Sequence, residues 1–269
     1  MSRLSSLNRL LWDLVELPSI NPSLGYKDAG LTGEEKVAIY LEDLAKDSGI
    51  ESKRMKVLPG RQNLILRLKP SGKIKNRIML TPHMDVVPAE PDAFTPKIKN
   101  GCLFGRGACD TKGSIASFFH AFLRLSKETN RPKNTEINFV GLVDEEFGQA
   151  GSRLLAQKGP KADLAIAGEP TNLKVVSAHK GNLWIRLSTT GKAAHGSTPQ
   201  HGTNAITRMS PILEALTIDY PKLLTEKVHP LLGSPTISVG AIRGGSQPNV
   251  VPDSCEIDID RRTIPGETG

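Results

Sequence analysis

Four segments of this 269-residue chain contain the histidine and carboxylate side chains that bind metal ions in enzymes. The candidate residues are His83, Asp85, Asp110, Glu145, Glu146 and Glu169. One imidazole combined with several carboxylates suits a borderline divalent ion such as Zn²⁺ or Co²⁺, whereas Mg²⁺ and Ca²⁺ prefer ligand sets made only of oxygen. The sequence therefore predicts a metal centre, with zinc as the first choice.

The carboxylates outnumber the ligands that one tetrahedral ion needs. A carboxylate that bridges two ions about 3.5–4 Å apart is therefore expected. Glu145 and Glu146 would project in opposite directions from extended backbone, so one could bind metal while the other faces a water as general base. Asp85 would accept the second ring N–H of His83 if the chain stays extended, and would so fix the tautomer of the imidazole.

Short apolar runs lead into three of these segments, and each run is predicted to be a β-strand. The predicted strands are residues 77–80, 137–143 and 164–167. In open α/β sheets, ligands bind at the carboxyl ends of strands, so residues far apart in sequence are expected to meet there. The interpretation fails if the imidazole of His83 lies more than about 8 Å from the carboxylates of Asp110 and Glu169.

The neighbouring patterns alternate between strand and helix. They predict a strand at residues 63–68 and helices at residues 114–125 and 152–157. Such alternation is typical of an α/β domain with a largely parallel or mixed sheet and helices on both faces. Thr32 and Glu35 are predicted to form a capping box for another helix that ends near Ser48.

Beyond about residue 180 the pattern changes to a smaller α+β layer. The predicted elements are strands at residues 183–188, 236–242 and 254–262 and a helix at residues 204–216. The strands alternate between apolar and polar residues, which indicates a sheet with one solvated face. We therefore predict two domains, residues 1–180 and residues 181–269.

The composition indicates a globular protein without a membrane span. Hydrophobic residues make up 38% of the chain, and no run of about 18 apolar residues is present. The helically spaced leucines Leu4, Leu7, Leu11 and Leu14 predict an amphipathic N-terminal helix rather than a signal peptide. Three cysteines without C-x-x-C spacing suggest neither a disulfide framework nor a thiolate zinc site, so a cytoplasmic location is expected.

The net charge of +7 raises the question of a nucleic-acid partner. The lysines and arginines are scattered, however, and only 4% of the residues are aromatic, so no strand carries a basic stripe with aromatic side chains for base stacking. This pattern is typical of a solvated surface. Neither a nucleic acid nor a membrane is therefore predicted as a partner.

The four chemical segments resemble, in order, the successive motifs of one known family. They are HMDVVP at residues 83–88, GRGACDTKG at 105–113, DEEFG at 144–148 and GEPT at 168–171. On these motifs the chain is identified as a member of the acetylornithine deacetylase and succinyl-diaminopimelate desuccinylase family of two-zinc amidohydrolases. Aminoacylases and carboxypeptidase-like metallopeptidases belong to the same family.

The resemblance implies a zinc-exopeptidase-like catalytic domain that binds two Zn²⁺ ions, with Co²⁺ as a substitute. His83 and Glu169 would bind one zinc, Glu146 the second, and Asp110 both, while Glu145 would be the general acid/base. The implied reaction is hydrolysis of the amide bond of an N-acyl amino acid, in amino-acid biosynthesis.

The resemblance also implies that residues from about 181 form a lid and dimerisation domain, and hence a homodimer. The segment GKAAHGS at residues 191–197 resembles a lid motif whose histidine, here His195, stabilises the oxyanion in the partner subunit's site. Asn249 and Arg262 lie in segments that resemble the substrate-binding ones. Arg262 is preferred to Arg261 as the ligand of a substrate carboxylate because it shares a polar strand face with Asp260.

One departure from the family bears on activity. In the family, a last histidine ligand for the second zinc follows the lid, whereas this sequence ends at Gly269 within the apparent lid. We therefore expect a truncated chain, and an inactive metal-binding fragment is one alternative to the predicted deacylase. A dipeptidase or carboxypeptidase of the same family, acting on short peptides, is another, because nothing in the sequence defines the acyl pocket.

Ordinary structural roles compete with several of the proposed ones. Asp110 could cap a helix, and the acids at 145 and 146 could lie in a solvated turn. His195 could be a surface loop residue, and Arg262 could simply lie on the polar face of a strand.

Overall fold

The computed structural model describes residues 6–267. The chain divides into two compact units, Met1–Leu173 and Lys174–Gly269. The predicted domain boundary between residues 180 and 181 stays a prediction. Leu4 of the predicted N-terminal helix lies outside the described residues.

The first unit is built around a mixed β-sheet. In chain order it contains α1 (Ser6–Val15), α2 (Glu35–Asp47), β1 (Glu51–Leu58), β2 (Arg61–Leu68), β3 (Asn76–Thr81), β4 (Lys97–Lys99), β5 (Cys102–Phe104), α3 (Lys112–Lys127), β6 (Thr135–Gly141), α4 (Ala150–Lys158) and β7 (Leu164–Ala167). Five strands pair in the order β1-β2-β6-β3-β7, while β4 and β5 form a separate hairpin. Strand β3 is parallel to both β6 and β7, and β2 is antiparallel to both β1 and β6. The predicted mixed sheet is confirmed.

Period-two alternation in β2 and β6 produces two apolar layers, one on each face of the sheet. Leu64 of β2 and Phe139 of β6 join the larger core, to which α1, α2 and α3 contribute. Ile65 and Val140, the next residue in each strand, pack on the opposite face with Leu155 of α4. Helices therefore cover both faces, as the sequence predicts.

The predicted capping box at the start of α2 is wrong. Glu34 is the N-cap residue, and the hydroxyl of Thr32 donates to the backbone carbonyl of Ala29 at 3.3 Å instead. Glu34 makes no capping bond either, because its carboxylate binds Arg61. Strand β1 is absent from the sequence predictions, since none of its residues is buried and few carry apolar side chains that would mark a period of two.

Lys112 is fully buried at the start of α3, which is exceptional for a lysine. Its Nζ donates to the backbone carbonyl of Leu17 at 2.6 Å and lies 5.8 Å from the centre of the Phe94 ring. Burial removes water from the ammonium group and lowers its pKa to about 7. A neutral amine can still donate to the carbonyl, so the contact survives loss of the proton.

This burial predicts a pH-dependent stability. Between about pH 7 and the ordinary lysine pKa of 10.5, the unfolded chain binds a proton that the folded chain lacks, so folding becomes more favourable as the pH rises. Relative to Lys112→Met, the wild-type free energy of unfolding should increase by up to about 1.4 kcal/mol per pH unit across that window. Urea unfolding of both proteins at several pH values measures the difference. A constant difference would contradict the buried neutral amine.

The second unit is a smaller layer of three strands and short helices. It contains β8 (Gly181–Thr190), α5 (Ala205–Glu214), α6 (Tyr220–Thr225), β9 (Thr236–Gly244) and β10 (Ser254–Thr263), in chain order. The strands form an antiparallel sheet in the order β8-β10-β9. The predicted helix at 204–216 continues past α5 as a π-turn over Ala215–Asp219. Asn204 caps α5 by accepting the backbone N–H of Ile206 and of Thr207.

The two faces of this sheet differ as predicted. On one face, Ile257 and Ile259 of β10 pack against Met209 of α5. On the other face, Asp258 binds Arg186 and Arg243, each at 2.6 Å. Across residues 6–267, no helix is both long and apolar enough to cross a bilayer.

Candidate metal centre

His83 lies where two parallel strands end. Beyond β3, the backbone N–H of Met84 donates to the carbonyl of Leu142 at 2.8 Å, and the N–H of Leu142 donates to the carbonyl of Pro82 at 2.9 Å. These bonds extend the pairing of β3 with β6 past the end of both strands. They fix the backbone of His83, whose side chain is 1% exposed.

Carboxylates from three other segments surround the imidazole. The Nε2 atom of His83 lies 3.0 Å from Oδ1 of Asp110, 3.8 Å from Oε2 of Glu145 and 3.9 Å from Oε1 of Glu169. Candidate ligand atoms of His83, Asp110 and Glu146 all lie within 4.8 Å of one another. The structure thus brings together the five residues that the sequence predicts to meet. Their individual roles as metal ligands or base stay predictions.

Asp110 reaches the cluster from the glycine-rich turn before α3. Gly107 has a φ of 79°, and a Cβ atom there would lie 2.7 Å from Cγ1 of Val86, so both conformation and space favour glycine. The N-cap position of α3 belongs to Thr111, so Asp110 is not the plain helix cap that the sequence also allowed. The hydroxyl of Thr111 donates to the backbone carbonyl of Gly168, which ties this turn to the segment that carries Glu169.

The predicted contact between Asp85 and His83 is corrected in detail. Nδ1 of His83 lies 2.9 Å from the backbone carbonyl of Asp85 and 3.5 Å from its carboxylate. Because a carbonyl only accepts, Nδ1 carries a proton, and Nε2 is the ring nitrogen that faces the cluster. The Asp85 carboxylate instead accepts the backbone N–H groups of Glu145 and Glu146, at 3.1 and 3.0 Å. Asp85 therefore fixes the tautomer through its main chain.

Glu145 and Glu146 do not project in opposite directions, and that expectation is wrong. Asp144, which precedes them, has a φ of 66°, and the following residues form a turn rather than extended backbone. Both carboxylates consequently lie beside His83. The division into a ligand and a base must therefore rest on their positions within the cluster.

The cluster has an excess of negative charge. Burial alone would lower the pKa of His83, but its hydrogen bond to Asp110 and the other nearby carboxylates raise it to about 11. Burial raises the pKa of Glu146 to about 7, against the opposite effect of the imidazole. Burial also raises the pKa of Glu145 and of Glu169. The surroundings therefore favour an added positive charge among these side chains.

This donor set fits a divalent cation. Nε2 of His83 and oxygen atoms of Asp110 and Glu146 converge, while the other ring nitrogen is held by a carbonyl, as in many metal-binding histidines. A metal ion would also neutralise the carboxylates that raise the pKa of His83. Within the described residues, this is the one group in which ligand atoms of three His, Cys, Asp or Glu side chains all lie within 4.8 Å of one another.

A second layer of buried polar residues lies behind the cluster, and sequence reasoning missed it. Arg61, Glu34, Asn21 and Asp144 are buried and joined by hydrogen bonds. No spacing in the sequence marks them, because their partners lie dozens of positions away.

His195, Asn249 and Arg262 all lie in the second unit. Nδ1 of His195 accepts hydrogen bonds from the hydroxyl and the backbone N–H of Ser197, at 2.7 and 3.2 Å. The carbonyl of Asn249 accepts the N–H of Gly196 at 2.7 Å, which places Asn249 beside the His195 turn. Arg262 is exposed and binds Asp260 at 2.9 Å.

Arg261 and Arg262 differ as the strand pattern predicts. The Arg261 side chain is buried, binds Glu267 at 2.7 Å and lies over the ring of Tyr220. It is occupied by structural contacts, whereas Arg262 faces solvent on the polar side of β10. The substrate-binding roles of Asn249 and Arg262 and the oxyanion role of His195 stay predictions.

Two family models match the chain. The model described as Peptidase family M28 matches residues 63–207, more than half of the chain, and that range includes every candidate residue of the metal centre. The model described as Peptidase dimerisation domain, of the M20 type, matches residues 177–269. That range includes His195, Asn249 and Arg262.

The chain is also similar to curated proteins of known name. The acetylornithine deacetylase of Vibrio cholerae serotype O1 is 34% identical over 245 residues, which cover 87% of this chain and 62% of that protein. The chain therefore spans less than two thirds of the length of this relative.

Solved structures share its fold. An M20 family metallo-carboxypeptidase from Sulfolobus solfataricus superposes with a TM-score of 0.73 at 18% identity, covering 98% of this chain and 72% of the other. A tripeptidase from Staphylococcus aureus superposes with a TM-score of 0.67 at 22% identity, covering 96% of this chain and 65% of the other. At these identities, the likeness establishes a common fold and does not extend to substrate.

Proposed function

The chain belongs to the M20 family of metallopeptidases and amidohydrolases, and from this premise we propose that it hydrolyses the amide bond of an N-acyl amino acid. The substrate would be of the acetylornithine or succinyl-diaminopimelate type. The observation that best supports the proposal is the close approach of His83, Asp110 and Glu146. Because the chain spans 62% of its curated relative, activity of this polypeptide is itself part of the proposal.

We propose that the centre holds two Zn²⁺ ions, for which Co²⁺ could substitute. His83 and Glu169 would bind one ion, Glu146 the other, and Asp110 both. A bound divalent ion would polarise the amide carbonyl and lower the pKa of a water molecule. The single imidazole among carboxylates supports zinc or cobalt over magnesium.

Glu145 is the proposed general acid/base. It would take a proton from water as the water oxygen bonds to the amide carbon, and would return this proton to the nitrogen as the carbon–nitrogen bond breaks. Its side chain is 34% exposed, so it can reach both the cluster and an incoming substrate. Burial raises its pKa toward working pH, which suits a group that must both accept and release a proton.

The second unit would supply the lid and the dimer contact, and Arg262 with Asn249 would hold the substrate carboxylate. His195 would donate a hydrogen bond to the developing oxyanion. The hydrogen bonds at its Nδ1 support this role, because a neutral imidazole with an acceptor at Nδ1 carries its proton at Nε2.

Ser197→Ala should disturb the tautomer of His195. Loss of one hydroxyl donor is worth about 0.5–1.5 kcal/mol, so the ratio of Nε2–H to Nδ1–H tautomers should fall by about 2- to 10-fold. Ring ¹⁵N chemical shifts of the neutral His195 imidazole measure the ratio. Ser197→Thr keeps the hydroxyl and should retain the wild-type ratio. Equal ratios in all three proteins would contradict the assignment.

The proposed function is tested with the purified chain loaded with Zn²⁺ or Co²⁺. Metal content is measured, and hydrolysis of N-acetylornithine, N-succinyl-diaminopimelate and an unmodified dipeptide is compared. We expect bound metal and preferential hydrolysis of an N-acyl amino acid. Preference for the dipeptide would favour the peptidase alternative, and bound metal without hydrolysis would identify an inactive fragment.

A further inference from the structure

The two glutamates of the metal centre follow a residue with an uncommon backbone conformation. Asp144 has a φ of 66°, in the left-handed region that residues other than glycine seldom adopt. The turn that results directs both Glu145 and Glu146 toward His83. Whatever fixes Asp144 therefore also fixes the direction of these carboxylates.

Asp144 is held by two residues from the beginnings of other elements. Nη1 of Arg61, the first residue of β2, donates to Oδ1 of Asp144 at 2.9 Å. The backbone N–H of Asp144 donates to Oε1 of Glu34, just before α2, at 3.1 Å. The guanidinium also binds Glu34, through Nε at 3.0 Å and through Nη2. Arg61 and Glu34 thus hold Asp144 at its side chain and backbone, and they hold each other.

All three residues are shielded from water. Arg61 is 8% exposed, Glu34 2% and Asp144 3%. A buried ion pair adds little net stability, since removing charges from water costs about as much as their attraction returns. Losing one partner, however, leaves the others as uncompensated buried charges. The group is therefore better explained by the geometry that it imposes than by stability alone.

A second set of bonds joins this group to the glutamate backbone. Nδ2 of Asn21 donates to Oδ2 of Asp85 at 2.7 Å and to Oδ1 of Asp144 at 3.2 Å. The Asp85 carboxylate in turn accepts the backbone N–H groups of Glu145 and Glu146. The turn is therefore fixed at Asp144 and again at the two amides that follow.

We propose that Arg61 and Glu34 are positioning residues that set the metal affinity of the centre by fixing the turn at Asp144. The inference rests on the proposed function, because it takes the cluster around His83 to be a metal site. The planar guanidinium is essential to this positioning role, since three nitrogen atoms of Arg61 bind two separate carboxylates. A lysine ammonium is a single point of charge and does not reproduce that fork.

The test compares Arg61→Met with Arg67→Met in the full chain. Both arginines lie on β2 and each binds a buried glutamate, but Arg67 binds Glu136, which is not part of the metal cluster. Zn²⁺ affinity is measured by competition with a chelator, and Co²⁺ absorption reports the ligand set. Thermal unfolding without metal reports stability.

We expect Arg61→Met to weaken Zn²⁺ binding by about 10- to 100-fold and to change the Co²⁺ spectrum, as is typical when a group that orients metal ligands is lost. Arg67→Met should lower the unfolding temperature yet leave Zn²⁺ affinity close to that of the wild type. Arg61→Lys should recover stability more fully than affinity. Glu34→Gln, which preserves shape, provides a second variant if Arg61→Met does not fold.

Two outcomes would overturn the inference. In one, Arg61→Met and Glu34→Gln bind Zn²⁺ as tightly as Arg67→Met. In the other, every variant loses affinity in proportion to its unfolding temperature, so that the effect is one of stability. If the wild-type chain does not bind Zn²⁺, the proposed function fails, and the inference fails with it. The wild-type measurement alone therefore distinguishes failure of the proposed function from failure of the inference.

Discussion

Asp110→Asn should lower the Zn²⁺ affinity of the chain by about a hundredfold or more, since losing a group that merely orients a ligand already costs about 10- to 100-fold. Asp110 is the proposed shared ligand, and its Oδ1 lies 3.0 Å from Nε2 of His83. Asparagine keeps the size of the side chain but removes the charge that would attract a cation. Chelator competition and Co²⁺ absorption measure the loss.

Folding and charge effects are separated from ligation by two comparisons. The free energy of unfolding of the metal-free chain is measured for the wild type and for Asp110→Asn, so that loss of the hydrogen bond to His83 is separated from loss of Zn²⁺ affinity. Asp43→Asn makes the same change of charge on the exposed face of α2 and should retain wild-type affinity. Equal Zn²⁺ binding by all three proteins would remove Asp110 from the ligand set.

The convergence of the candidate residues could be predicted because it depends on strand ends. Short apolar runs mark β3, β6 and β7, and parallel strands in one sheet end at the same edge. His83 and Glu169 follow two of these strands, and Nε2 of His83 lies 3.9 Å from Oε1 of Glu169. Periodicity and position along the chain are sufficient for this inference.

The directions of individual side chains could not be predicted in the same way. The expectation for Glu145 and Glu146 assumed extended backbone, and the left-handed conformation of Asp144 overturns it. Aspartate adopts that conformation several-fold more often than most residues, but it is still the exception, so the sequence does not specify it. The contact of Asp85 with His83 runs through a carbonyl rather than a carboxylate for a similar reason, since side-chain spacing carries no information about main-chain acceptors.

The buried polar network was missed because its partners are distant in sequence. Arg61 binds Glu34, 27 positions away, and Asp144, 83 positions away. An arginine at the start of a strand is ordinarily solvated, and a glutamate before a helix is ordinarily exposed and interacts with the helix dipole. The tertiary structure overrides both expectations by bringing the charges together away from water.

Glu145→Gln should lower the rate of amide hydrolysis by about 10²- to 10⁴-fold while metal content stays at the wild-type level. Glutamine keeps the shape and the backbone bond to Asp85 but cannot take a proton from water. Turnover of N-acetylornithine and metal content per chain are measured on the same samples. The two readouts separate loss of the base from loss of the metal.

The neighbouring glutamate provides the matched control, because Glu145 and Glu146 share the turn, the proximity to His83 and the backbone bonds to Asp85. If Glu146 is a ligand and Glu145 the base, Glu146→Gln should lose both metal and turnover, whereas Glu145→Gln should lose turnover alone. If instead Glu145→Gln loses both metal and turnover and Glu146→Gln loses turnover alone, Glu145 is the ligand and Glu146 the base, and the metal centre itself stands. Normal turnover in Glu145→Gln would show that Glu145 is not the general base. Another carboxylate of the cluster would then have to accept the proton from water.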